Sequence, residues 1–283
     1  MLRFLTILTL TITFTVPIFC QTTITVDPNA ANESPTVKRT IMGAINVAQP
    51  GDKVKVLPGT YFEKIQLADK YITVEGSGAE MTTIFSLSND YAVDMQTGKL
   101  KWFQISSSGD GVYLRGDAFI TNCVIEACNG SGLYLDENAV VHQCLVQNNG
   151  GTGVYFATSS PTVTNVISVG NVVHGFYGGS SFGYYNIDYC ASFGNGKNDL
   201  WFNKGGHFIE TDPKIVEGQY NLASSSDCRN SGNPGLKDPD GSSSSMGYYG
   251  GPEAPTFPVI IEATPVLNAD GTITIKAKAV SRY

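Results

Sequence analysis

NCVIEACNGSGLYL (122–135), QCLVQNNGGTGVYF (143–156), NVISVGNVVHGFYG (165–178) and YCASFGNGKNDLWF (189–202) are four copies of one pattern, and WFQISSSGDGVYL (102–114) is a fifth, partial copy. The column Trp102, Cys123, Cys144, Val166, Cys190 steps by 21, 21, 22 and 24 residues, and the column Gly111, Gly132, Gly153, Gly175, Asp199 steps identically. Each copy holds short β-rich runs with period-2 alternation, such as Val112-Tyr113-Leu114 and Leu133-Tyr134-Leu135. In a strand alternate residues face opposite sides, so the aliphatics point one way and the tyrosine the other. One such coil cannot bury its apolar face alone, whereas stacked coils can, which is the physics of a solenoid. Asn129, Asn149, Asn171 and Asn195 recur at one corner, as an asparagine ladder would. The cysteine column reads as small apolar side chains stacked inside the coil.

Composition agrees. Glycine supplies 31 of 283 residues, charged residues are 15%, and the net charge is −7. Coiled coils need abundant Ala, Glu, Lys and Leu. Disordered chains lack the 42% apolar content seen here. The acidic balance argues against nucleic acid, whose affinity comes largely from Lys and Arg on phosphates. At the front, MLRFLTILTLTITFTVPIFC (1–20) has the n-region and apolar run of a secretory signal peptide, and it is too short and too Thr-rich for a membrane span. Five cysteines then remain, an odd number that leaves at least one thiol unpaired per monomer. The domain expectation is a signal peptide over 1–20, a solenoid over 21–252, and a Pro-rich linker with a β tail over 253–283. Asn268-Ala269-Asp270-Gly271 marks a hairpin in that tail.

From these repeats the chain resembles the right-handed parallel β-helix proteins of the pectin-lyase-like superfamily, all-β solenoids. The run TIMGAINVAQPGDKVKVLPGTYFEKIQLADKYITVEGSG (40–78) looks like their entry, a short capping helix over Thr40–Ala48 followed by the first corner at Pro58-Gly59-Thr60-Tyr61. Residues 212–252 look like the closing segment of secreted bacterial members. The resemblance implies an extracellular protein that binds or processes polysaccharide. If it is an enzyme, a polysaccharide lyase or glycoside hydrolase is the implied class. The alternative is a non-catalytic structural or adhesive surface protein. The local signatures of pectate lyases, polygalacturonases, pectin methylesterases and alginate epimerases are missing.

Three groups of residues are candidates for function. Tyr113, Tyr134, Tyr155, Tyr177 and Trp201 form one outward column, and aromatic rings along an elongated face can stack on the sugars of a linear polysaccharide. His174 and Asp199 fall on adjacent coils and are the candidate general acid–base pair, with Arg115 and Lys204 flanking the same face. Asp238 and Asp240 in a Gly/Ser loop offer oxygen ligands for Ca2+, although Asp-Pro-Asp-Gly is also an ordinary turn.

Overall fold

The structure, a computed structural model, describes residues 21–157, 161–179, 186–199, 204–256, 259–268 and 272–280. The repeats stack as a parallel β-solenoid. Among the described residues its three faces are sheets of nine, seven and six strands, and every strand pairs with its counterpart one coil away. In the six-stranded sheet, Val112–Leu114 pairs with Leu133–Leu135, which pairs with Val154–Phe156 and then Phe176–Gly178. Each of these strands is buried at both ends and half-exposed at its middle residue, so the aliphatics fill the bore and the tyrosines face out. The expected capping helix is present as α1 (Ile41–Val47), with Thr40 accepting from Gly43 N as its N-cap. Glu63, two residues past the first corner, accepts from the N–H groups of Ile41 (2.9 Å) and Met42 (3.0 Å) and so ties the corner to the helix. The tail pairs Val259–Leu267 with Ile273–Val280 as an antiparallel hairpin.

The repeat register needs two corrections. The cysteine column begins at Phe103, whose carbonyl accepts from Val124 N just as that of Cys123 accepts from Leu145 N. Trp102 instead heads a column of left-handed corner residues, with φ of 67° at Trp102, 47° at Asn122, 52° at Gln143, 59° at Asn165 and 53° at Tyr189. The first coil is therefore one residue shorter here than the glycine column suggests, because Gln104 pairs with Val124. The asparagine ladder is real over Asn149, Asn171 and Asn195, with amide-to-amide bonds of 2.9 Å at both steps. Asn129 is not its first rung. Cys128 holds that place, donating its N–H to Asn149 Oδ1 at 3.1 Å, while Asn129 lies exposed beside it. The five cysteines of the described chain are all buried and unpaired. Burial pushes the Cys123 and Cys190 thiols up to about 12, so they behave as apolar fillers.

A second core lies outside the bore. The outward residues Val124, Leu145, Ile167 and Ala191 of the seven-stranded sheet pack against Cys228, Met246 and Tyr248. These come from the segment 204–256, a strap folded back over the sheet. Polar side chains at the corner column hold it. Trp102 Nε1 donates to Glu253 O (2.8 Å), Asn122 Nδ2 donates to Tyr248 O (2.7 Å) and Gly250 O (2.9 Å), and the Gln143 carboxamide lies 3.0 Å from Ser244 Oγ. Asn165 accepts from Asn233 N at 2.8 Å. The Tyr248 hydroxyl accepts from Ala79 N (2.7 Å) and donates to Glu80 (3.3 Å). Among the described residues no helix is long and apolar enough to cross a membrane.

Candidate functional site

The six-stranded sheet aligns its outward column in strict register: Gln66, Asp94, Tyr113, Tyr134, Tyr155, Tyr177. The four tyrosines are half-exposed. Trp201, the fifth expected member, lies outside the described residues, as do residues 1–20. Tyr91, which belongs to no repeat column, adds a further ring by stacking on Tyr113 at 5.0 Å and 27°.

The rings are not presented as the sequence suggests. Tyr134 stacks on Tyr155 at 4.8 Å and 23°, and Tyr155 on Tyr177 at 5.6 Å and 24°. Coils repeat at ~4.8 Å, close to the contact distance of two rings, so neighbours on successive coils cover one another's faces. Only between Tyr113 and Tyr134 does the stack break, with the rings at 84°. Elsewhere the column offers ring edges and hydroxyls. Burial, neighbouring tyrosines and the carboxylates Asp136 and Asp110 hold the Tyr134 pKa above its ordinary value. Burial, then Asp110, does the same at Tyr91. These hydroxyls are therefore protonated donors at neutral pH.

Charge borders the row. Arg115 pairs with Asp94 at 2.8 Å and sits 4.9 Å from the Tyr113 ring centre. The Tyr113 hydroxyl faces Asp136 at 3.5 Å. Lys204 is paired with Glu210.

His174 and Asp199 both reach the end of the row, and each is engaged with backbone. His174 is 7% exposed, stacks on Tyr177 at 4.8 Å, and points Nδ1 at Asn198 O, 2.5 Å away. A carbonyl can only accept, so that contact places the proton on Nδ1. Asp199 accepts from Phe176 N at 2.9 Å. The pair thus pins the last coil to its neighbour. The histidine that does face a carboxylate is His207, whose Nδ1 lies 3.2 Å from Asp188 and whose ring stacks on Tyr189 at 4.2 Å. No periodicity marks His207, since it follows the last repeat.

Asp238 is 7% exposed and accepts from Ser245 N (3.1 Å) and Gly251 N (2.6 Å), while Asp240 accepts from Ser242 N at 2.9 Å. Both carboxylates brace the strap loop. Among the described residues no group of three or more His, Cys, Asp or Glu side chains is placed to hold a metal ion.

A family model described as a right handed beta helix region matches residues 71–217. Among solved structures, pectate lyase Pel9A is similar at 13% identity, covering 83% of this chain and 97% of that one, with a TM-score of 0.48. A pectin methylesterase from Aspergillus niger is similar at 11% identity, covering 77% and 94%, with a TM-score of 0.45. A pectin methylesterase in complex with a hexasaccharide is similar at 8% identity, covering 72% and 93%, with a TM-score of 0.38. At these identities the likeness is one of fold. No curated protein matches the sequence.

Proposed function

The chain belongs to the family of right-handed β-helix regions, and from that premise we propose that it is a secreted protein that binds an extracellular polysaccharide along its tyrosine row. The observation that carries the reading is the register: Tyr113, Tyr134, Tyr155 and Tyr177 stand opposite one another on successive strands. A row of hydroxyls repeating every ~4.8 Å meets an extended sugar chain with one hydrogen-bonding group per coil. Asp110 and Asp136 beside the row, together with a net charge of −7, favour a neutral glycan over a polyuronate. The residues at the end of the row, His174 and Asp199, serve binding geometry here, and no hydrolytic or lyase step is assigned to them. Residues 1–20 are the signal peptide in this reading.

The test is a glycan array read with the wild type, with Tyr134→Phe/Tyr155→Phe and with Tyr134→Ala/Tyr155→Ala. The Phe pair keeps the stack and removes two hydroxyls. At ~0.5–1.5 kcal/mol per hydrogen bond its affinity falls ~5- to ~150-fold, and the Ala pair loses at least as much. EDTA leaves binding unchanged, because Asp238 and Asp240, the expected Ca2+ ligands, lie in the strap loop and not on this sheet. Binding that survives in the Phe and Ala pairs alike, or its absence from the wild type, would leave the row as a ladder that only stiffens the sheet. The mutual stacking of the rings favours that second reading.

A further inference from the structure

Tyr134 and Tyr155 stand opposite one another on neighbouring strands, 21 positions apart in the chain. Their ring centres are 4.8 Å apart and their planes 23° from parallel. Both side chains are half-exposed, so a small oxidant in solvent reaches either ring. The sheet fixes the two backbones, and each ring moves only by turning about its own side-chain bonds.

That spacing suits one covalent step. A phenol that loses one electron and its hydroxyl proton becomes a phenoxyl radical, with the unpaired electron shared by the ring carbons beside the oxygen. Two such carbons join as a carbon–carbon bond, and the two hydrogens they carried move to the oxygens and restore both phenols. The pair has then lost two electrons and two protons, which one hydrogen peroxide takes up to leave as two waters. In the product the ring centres lie two ring radii and one carbon–carbon bond apart, ~4.3 Å. The step therefore needs rotation of the rings and almost no movement of the coils.

The other tyrosine pairs are less suited. Tyr155 and Tyr177 are 5.6 Å apart, and Tyr113 meets Tyr134 at 84°. Tyr91 lies 5.0 Å from Tyr113, but the Arg115 guanidinium sits 4.9 Å from the Tyr113 ring, and its positive charge opposes removal of an electron. Tyr248 is buried and crosses Tyr249 at 66°. We propose that Tyr134 and Tyr155 are a site of oxidative cross-linking, joined as dityrosine by a haem peroxidase with hydrogen peroxide. The bond staples two successive coils of a chain whose five cysteines, among the described residues, are buried and unpaired. It needs only the ring spacing, so it stands whether or not the row binds glycan.

Peptide mapping by mass spectrometry on the oxidised full chain tests it. One arm uses horseradish peroxidase with hydrogen peroxide. A second uses photo-excited ruthenium tris-bipyridyl with persulfate, an oxidant small enough to reach any half-exposed ring. A protease that cuts after Glu137 separates Tyr134 from Tyr155. In the monomer fraction the two peptides are expected to stay joined, with the mass of both less two hydrogens. Tyr134→Phe and Tyr155→Phe should each abolish the joined peptide. Tyr71→Phe should leave it intact, although Tyr71 is 58% exposed. Failure to find the joined peptide in either arm, while Tyr71 is oxidised, overturns the proposal. So does a joined peptide that persists in Tyr134→Phe, or one confined to covalent dimers.

Discussion

Asn122 carries two separable burdens, and a pair of substitutions pulls them apart. Its Nδ2 donates to the carbonyls of Tyr248 and Gly250 at 2.7 and 2.9 Å, and its backbone sits at φ 47°. Asn122→Ala leaves two buried carbonyls without their donor, at ~1–3 kcal/mol each, so the strap loses ~2–6 kcal/mol of attachment. Alanine also pays the steric cost of the left-handed region, about 1 kcal/mol. Asn122→Gly loses the same two bonds but adopts that φ freely. The readout is amide hydrogen exchange by mass spectrometry, comparing peptides across 244–254 with peptides across 133–156 as an internal reference. Both variants should lower protection in the strap ~30-fold or more, taking 1.4 kcal/mol per decade. Only the alanine variant should also loosen the strand Phe119–Thr121 that precedes the corner, by ~5-fold. Wild-type protection of the strap in the glycine variant would refute the argument, because it would show that the asparagine side chain does not hold the strap.

Two further outcomes follow from the packing and the charges. A Cβ at Gly153 would collide with Ser168 Oγ and lie 2.6 Å from Asn171 Nδ2. Gly153→Ala should therefore cost ~1–3 kcal/mol in thermal unfolding, with part recovered in the double variant Gly153→Ala/Ser168→Ala. No recovery would mean that the clash is with the backbone of the next coil instead. Burial, then the charge of Lys99, holds the His142 pKa below its ordinary 6.5, with Glu253 opposing. The folded chain thus takes up the proton less readily than the unfolded one. Stability should be fully present above pH 6.5 and should decline as the pH falls below it. Midpoints of thermal unfolding measured between about pH 8 and pH 5 should show the decline, and His142→Gln should flatten it. An equal slope in the variant would assign the acid sensitivity to other groups.

The solenoid is legible in the sequence because its physics is local and repeated. Val112-Tyr113-Leu114 and its three successors announce both the strand and its outward face, and the structure keeps them in register. Single-residue slips are less legible. Trp102 and Phe103 are both large and aromatic, and only the backbone shows that Trp102 takes the left-handed corner while Phe103 enters the bore. Cys128 hides as a rung of the asparagine ladder because its contribution is a backbone N–H, which every residue but proline has. The direction of the tyrosine faces was out of reach, since a column of rings reads the same whether they lie flat or stack. The packing of the strap on the sheet left no trace either. Leu145 and Tyr248 are 103 positions apart, and no period connects them.

The strap also acts as a gauge. Its anchoring partners run backward as the corners run forward: Trp102 meets Glu253, Asn122 meets Gly250 and Tyr248, Gln143 meets Ser244, and Asn165 meets Asn233. One segment therefore measures four consecutive coils from outside. A repeat protein ordinarily gains or loses units with little penalty, because each touches only its neighbours. Here an added coil within that span would shift every later anchor by one coil spacing, ~4.8 Å, beyond hydrogen-bond reach. The number of coils between Trp102 and Asn165 is thereby set by a stretch of chain that is not itself a repeat, and a duplication would survive only with a matching change in the strap.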